Sequence, residues 1–132
     1  GFFPDLFEGK PEILADPNCV KVVRAADGRA LYFSRAAIPH LRDAEDVALR
    51  DTLVFQHMGI YAARREALMR WVAFPPHPLE LVEKLEQLRA LAGGLAMGVA
   101  IVEAPSWGEV NTEEDLMRAN THWAALAAGA AV

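Results

Sequence analysis

The 132-residue sequence has little of several features that would define a class of protein at once. Its single cysteine, Cys19, excludes an internal disulfide, and we expect it to be a small buried residue on or beside a strand. A reducing, cytoplasmic location fits this cysteine content. No apolar run approaches the roughly 18 residues of a membrane helix, and residues 1–5 lack the order of a signal peptide. We therefore expect no membrane partner.

Basic residues are also scarce. The chain has 13 Lys and Arg against 18 Asp and Glu, which gives a net charge of -5. Binding to nucleic acid requires a basic stripe along the phosphates, so we expect no nucleic-acid partner. Gly93, Gly94 and Gly98 do not form a phosphate loop because no Lys-Ser or Lys-Thr follows them. The histidines lack the spacing of a zinc site.

Apolar residues, in contrast, are plentiful at 53% of the chain. The length suffices for one domain that buries about two-thirds of its unfolded surface. Because the apolar fraction is above that of a typical soluble domain, some apolar residues are left for a subunit interface. We therefore expect a homo-oligomer, most simply a dimer.

Prolines at positions 4, 11 and 17 predict an irregular N-terminal arm over residues 1–19, followed by a single α/β domain over residues 20–132. At the start of this domain, Asp27-Gly28 is a hairpin signal because the turn needs positive φ. It joins a predicted strand Val20–Arg24 to a return strand Arg29–Ser34.

Hydrophobic spacing predicts the remaining elements. They are a helical turn at Ala44–Arg50, a buried strand at Leu53–Ala62, helices at Arg65–Trp71 and Leu79–Ala92, a strand at Met97–Val102 and a last helix capped by Thr112 and Asp115. The long helix carries a leucine stripe at positions 81, 85, 88 and 91. Strands that alternate with helices predict an α/β layer structure.

Four polar side chains stand out in these elements. His57 and Tyr61 have the even spacing that places both on one face of a strand. Glu86 and Gln87 lie at the rim of the leucine stripe. An imidazole and a phenol beside a carboxylate and an amide would suit a polyhydroxylated ligand. The alternatives are a core histidine bonded to a backbone carbonyl, a packed tyrosine and a solvated Glu-Gln pair.

Three blocks of the sequence resemble the 3-deoxy-manno-octulosonate cytidylyltransferase (CMP-Kdo synthetase) family. The first block comprises Pro17–Val23 and Asp27–Pro39. The second comprises the pattern His57-x-Gly-Ile-Tyr-x-x-Arg64 and the segment Pro78–Arg89. The third block is Val110–Leu116. The three blocks occur in the family's order but cover only its second half. The resemblance implies a truncated nucleotidyltransferase-like mixed sheet flanked by helices, with a projecting β-hairpin. It also implies a role in activating Kdo for lipopolysaccharide synthesis.

The resemblance further implies a set of residues that bind a sugar acid such as Kdo. A guanidinium can hold the sugar carboxylate through two parallel hydrogen bonds, and the other side chains would contact hydroxyl groups. The implied substrate-binding residues are Arg35, His57, Tyr61, Glu86 and Gln87.

Metal binding is where the sequence departs from the family. Asn111 stands where the family has a magnesium-binding aspartate, and a neutral amide is a weaker ligand for Mg²⁺ than a carboxylate. The family's Arg/Gly-rich CTP loop and its second metal aspartate have no counterpart in these residues. Because phosphoryl transfer depends on such positioning and charge neutralisation, we expect no catalytic residue, and no cofactor unless a nucleotide-binding half supplies a site for Mg²⁺.

Three hypotheses follow. The chain is a CMP-Kdo synthetase-like protein that retains the sugar-acid-binding half and is not catalytic alone. Alternatively, it is a subunit or fragment of an active 3-deoxy-manno-octulosonate cytidylyltransferase. As a third alternative, it is a non-catalytic homodimeric structural module.

Overall fold

The computed structural model describes Phe7, residues 10–102, Val110 and residues 112–127, with side chains up to residue 124 in the last helix. Contacts divide these residues into two compact units. The first contains Phe7 and residues 10–101, and the second contains Val102, Val110 and residues 112–127. The predicted division into an arm of residues 1–19 and a domain of residues 20–132 stays a prediction.

The first unit alternates short strands and short helices. In chain order its elements are α1 (Pro11–Ala15), β1 (Lys21–Arg24), β2 (Ala30–Ser34), a 3₁₀ turn (Ala44–Asp46), α2 (Val47–Leu53), β3 (Val54–Gln56), α3 (Arg65–Ala73), α4 (Pro78–Glu83) and α5 (Gln87–Ala92). The second unit contains α6 (Glu113–Ala127).

The described strands form one antiparallel sheet in the order β2-β1-β3. Val22 on the central strand lies opposite Phe33 on one side and Phe55 on the other. The predicted hairpin is confirmed, since Gly28 has a φ of +84° and the Asp27 carboxylate accepts a hydrogen bond from the backbone N–H of Arg29 at 3.1 Å. The turn residues therefore fix the register of β1 and β2.

Two apolar clusters cover the two faces of this sheet. Val22 belongs to one cluster, and Val54, which lies opposite Val23, belongs to the other. Since alternate residues of a strand point to opposite faces, the two valines face opposite sides. The first cluster also buries Ala30, Phe33, Leu85 and Leu88, and the second buries Phe7, Leu14 and Cys19.

The segment before the sheet is more regular than predicted. Residues 11–15 form α1, with Pro11 in the first turn, where a missing N–H costs no hydrogen bond. Leu14 is buried against the sheet cluster that contains Cys19. Irregular structure was therefore the wrong prediction for these residues, whereas the buried position of Cys19 is confirmed.

Two predicted strands are shorter in the structure. The strand predicted at Leu53–Ala62 is limited to β3, because its partner β1 begins at Lys21 and only one further hydrogen bond forms, from the His57 N–H to the Val20 carbonyl. The strand predicted at Met97–Val102 is reduced to one bridge between Arg29 and Gly98.

The predicted helix Leu79–Ala92 is broken in two. Lys84 adopts the left-handed conformation (φ 54°, ψ 45°), so α4 ends at Glu83 and α5 begins at Gln87. The leucine stripe consequently does not lie on one face. Leu88 is 0% exposed, whereas Leu81 is 53% exposed. We refer to residues 84–86 as the helix break.

The second unit confirms the predicted cap of the last helix. The Thr112 hydroxyl accepts a hydrogen bond from the Asp115 N–H at 3.2 Å, and the Asp115 carboxylate accepts one from the Thr112 N–H at 2.9 Å. This reciprocal pair is a capping box. None of the described helices has the length and apolar character needed to cross a membrane.

Candidate functional site

The helix break is attached to the end of β2 by Arg35. The guanidinium donates from Nε to the Glu83 carbonyl at 2.8 Å and from Nη2 to the Lys84 carbonyl at 3.3 Å. Its Nη1 donates to the Pro17 carbonyl at 2.8 Å. One side chain therefore joins three separate stretches of the backbone.

The Glu83 side chain adds a second attachment, from the helix break to the end of β2. One oxygen of its carboxylate accepts a hydrogen bond from the Ser34 hydroxyl at 2.6 Å, and the other accepts one from the Arg35 N–H at 2.9 Å. Arg35 and Glu83 thus each bind the other's backbone. We call this arrangement the Arg35–Glu83 clamp.

A buried cation supports the clamp from within the sheet. Lys21 lies opposite Ser34 in β1 and is 0% exposed. Its Nζ donates to the carbonyls of Asp16 and Arg35. Burial lowers the pKa of Lys21 below its ordinary value, while the nearby Glu83 carboxylate acts in the opposite direction.

Aromatic rings extend from the core towards the surface beside the break. The ring of Phe33 contacts that of His57 at a centroid distance of 5.1 Å, His57 contacts Tyr61 at 5.3 Å, and Tyr61 contacts Trp71 at 5.4 Å. The first and last of these contacts are edge-to-face and the middle one is tilted, and together they hold each ring in a defined orientation. Tyr61 is therefore fixed in place although it is 37% exposed.

The electrostatics of Tyr61 connect this aromatic series to the helix break. Burial, together with the smaller effect of the negative charge of Glu86, raises the pKa of the Tyr61 phenol to about 12. At neutral pH the phenol is accordingly a neutral group that can donate one hydrogen bond and accept another. Glu86 itself is exposed at the start of α5.

Gln87, the first residue of α5, has an unsatisfied polar group. The residue is only 2% exposed, yet its Nε2 has no hydrogen-bond partner within the part of the chain that the structure describes. A buried donor left without an acceptor costs about 1–3 kcal/mol.

Comparison with known proteins gives this geometry a context. A protein-family model described as "Cytidylyltransferase" matches residues 8–98, which include the clamp, the aromatic rings and the helix break. The chain belongs to the cytidylyltransferase family. The resemblance inferred from the three sequence blocks is thereby confirmed.

Two curated relatives are similar to this chain over most of its residues. The 3-deoxy-manno-octulosonate cytidylyltransferase of Gemmatimonas aurantiaca is 61% identical over 115 residues, which cover 87% of the present chain and 44% of the relative. That of Acidobacterium capsulatum is 52% identical over 104 residues, covering 78% and 40%. The chain thus spans less than half the length of these relatives.

A solved structure shares the fold. It is titled as CMP:2-keto-3-deoxy-manno-octonic acid synthetase complexed with CTP, and it matches with a TM-score of 0.72 and 37% identity over 84% of the present chain and 44% of that chain. The predicted α/β class, corresponding to part of a nucleotidyltransferase fold, is confirmed.

The predicted site residues gather near the helix break, but not for the predicted reason. His57 and Tyr61 lie beyond the end of β3, so the loop and its ring contacts bring them together rather than strand alternation. Glu86 and Gln87 lie at the start of α5 rather than near the end of a helix. The assignment of these residues to a sugar site stays a prediction.

Arg35 has a structural role that the sequence did not indicate. Three of the five N–H groups of its guanidinium are occupied by backbone carbonyls. The predicted bidentate pairing with a sugar carboxylate would therefore have to use the remaining donors or displace one of these bonds. That pairing also stays a prediction.

Sequence reasoning missed Lys21, Glu83 and Trp71. A lysine between Val20 and Val22 in a strand is a detectable signal, because a charged residue in an apolar strand needs partners. Glu83 gave no such signal, since the helix break that makes it important is not visible in the sequence.

The predicted metal position and the described residues both bear on Mg²⁺ binding. Asn111 lies outside the described residues. In the ranges that the structure describes, no group of three or more His, Cys, Asp or Glu side chains is placed to hold a metal ion.

Proposed function

We propose that the chain forms the sugar-acid-binding part of a CMP-Kdo synthetase-like cytidylyltransferase. The observation that carries this proposal is the grouping of Tyr61, Glu86 and Gln87 at the helix break, where the charge of Glu86 acts on the Tyr61 phenol. Membership of the cytidylyltransferase family supports it, because relatives of high identity are named for 3-deoxy-manno-octulosonate.

The chemistry of the neighbouring groups supports a polyhydroxylated ligand. The neutral phenol of Tyr61 can both donate and accept, the Glu86 carboxylate can accept from hydroxyl groups, and the Gln87 amide can donate to an oxygen. A sugar acid presents hydroxyl groups that need both kinds of partner. An apolar ligand would leave the Gln87 amide unsatisfied.

Nucleotide transfer is proposed to require more than these residues. The solved relative that binds CTP is matched over only 44% of its chain. We propose that the CTP-binding loop and the metal carboxylates come from polypeptide that has no counterpart in these 132 residues. This proposal includes the alternative in which the chain is a subunit or fragment of an active enzyme.

Thermal unfolding with added ligands tests the proposal. Kdo at about 100 times its dissociation constant should stabilise the protein by about 2.7 kcal/mol, which raises the melting temperature by several degrees. Sialic acid is the control ligand. Gln87→Leu should abolish the shift, whereas Gln56→Leu, at the end of β3, should preserve it.

The possible results separate the hypotheses. A shift with Kdo that is indifferent to CTP and Mg²⁺ supports a sugar site alone. An additional shift with CTP and Mg²⁺ supports a fragment that retains a nucleotide site. The absence of a shift with every ligand contradicts the proposed function.

A second candidate is the homodimeric structural module. Helices α3 and α4 expose large apolar side chains, which favours an interface with another chain. These are Leu68, Met69, Val72, Leu81 and Val82. Light scattering at micromolar concentration should then give the mass of a dimer, and a monomeric mass contradicts this candidate.

A further inference from the structure

We propose that Glu83 is a positioning residue, which fixes the helix break against the end of β2 and so sets the positions of Glu86 and Gln87. This inference rests on the proposed sugar-binding function and deepens it. Glu83 is assigned no contact with the sugar. Its role is to hold the residues that make such contacts.

The first reason is the conformation of Lys84. A φ of 54° places it in the left-handed region, which a residue with a β-carbon adopts only when its surroundings hold it there. An uninterrupted helix would satisfy the carbonyls of residues 83 and 84 with the N–H groups of residues 87 and 88. In this protein Arg35 binds both carbonyls instead, and the Leu88 N–H bonds to Leu85.

The second reason is that Glu83 itself is attached to the sheet. Both of its carboxylate oxygens are used, one by the Ser34 hydroxyl and one by the Arg35 N–H. These two donors are consecutive residues at the end of β2. The helix break is thus held from both sides, by the Arg35 guanidinium at its carbonyls and by the Glu83 carboxylate at the strand.

The third reason is that a continuous helix would rotate the side chains at the start of α5 around the helix axis. Each residue of an α-helix turns the side chain by about 100° around the axis. If residues 84–86 joined a continuous helix, the side chains of Glu86 and Gln87 would turn away from their present directions. Gln87 would then leave its present buried position, in which its Nε2 has no hydrogen-bond partner among the described residues.

The test compares Glu83→Gln with a control substitution elsewhere in the unit that is expected to lower the stability by a similar amount. In Glu83→Gln one of the two acceptor oxygens becomes an NH₂ group, which cannot accept a hydrogen bond, so only one of the two donors at the end of β2 keeps its acceptor. The control is Asp51→Asn, which weakens the buried pair of Asp51 with Arg50 (2.8 Å) on α2. Hydrogen exchange of the amides of residues 85–88 and Kdo affinity by calorimetry are measured for both variants.

The expected result is at least tenfold faster exchange at residues 85–88 and at least tenfold weaker Kdo binding in Glu83→Gln. Asp51→Asn should lower the melting temperature without either effect. Unchanged exchange at residues 85–88 in Glu83→Gln contradicts the proposal that Glu83 holds the helix break. Faster exchange with unchanged affinity overturns the positioning role and leaves Glu83 purely structural.

Two further measures keep the outcomes separate. If Glu83→Gln does not fold, Ser34→Ala removes only one of the two bonds to the carboxylate and should give smaller changes of the same kind. If the unaltered protein binds no Kdo, the proposed function fails and the sugar-positioning role fails with it. The exchange data still decide whether Glu83 holds the helix break.

Discussion

The ionisation of Tyr61 provides a direct test of how the candidate site is built. Because its pKa is raised from about 10 to about 12, only about 10% of the phenol should be ionised at about pH 11, against about 90% for an unperturbed tyrosine. The chain has only 2 tyrosines, and because burial also raises the pKa of Tyr32, the steps in the ultraviolet absorbance of tyrosinate must be assigned by substitution. Tyr61→Phe should remove the later step.

The causes of the shift can be separated by a second substitution. Burial is the larger cause and the Glu86 charge the smaller, so Glu86→Gln should lower the pKa of Tyr61 only partly. Circular dichroism at each pH must show that the protein stays folded. A Tyr61 step at the ordinary pKa in the folded protein would refute the arrangement of Tyr61 beside the helix break.

The raised pKa of Tyr61 also determines the direction in which folding stability changes with pH. A phenol whose pKa is higher in the folded state contributes stability that is complete below about pH 10 and is lost as the pH rises through about 12. Without solvent screening, the contribution of this pKa shift to the free energy of unfolding would be about 2.7 kcal/mol. Because the side chain is 37% exposed, solvent screening should reduce it to the order of 1 kcal/mol.

Two further predictions concern the scaffold. Lys21→Met removes the donor that satisfies two backbone carbonyls and should lower the free energy of unfolding by about 1–3 kcal/mol in urea denaturation; an unchanged value would show that the buried ammonium contributes nothing. Leu88→Ala should cost about 2–5 kcal/mol and Leu81→Ala less than about 0.5 kcal/mol, because only Leu88 is buried, and equal costs would contradict the helix break.

Local signals in the sequence predicted much of this fold. The Asp27-Gly28 turn and the Thr112 cap act within a few residues, and both are confirmed. The α/β class followed from the alternation of strands and helices, and the family from three sequence blocks. These features depend on neighbouring residues or on the overall pattern, so they are readable without tertiary structure.

The features that could not be predicted depend on distant contacts. Lysine is a good helix former, so nothing local indicates that Lys84 ends a helix. The carbonyl of Glu83 at the break is bound by Arg35, which lies 48 residues earlier in the chain. Likewise, β3 is short because its partner is short, and His57 meets Tyr61 through a loop. Tertiary contacts override local propensity at the candidate site.

The long separation between Arg35 and Glu83 has a consequence for how the protein folds. A contact that spans 48 residues forms only after a large loop has closed, which is entropically costly and slow relative to helix formation. The helix break is therefore expected to form only after the end of β2 and residues 78–92 have come together, so its geometry depends on the long-range structure of the unit rather than on α4 and α5 alone.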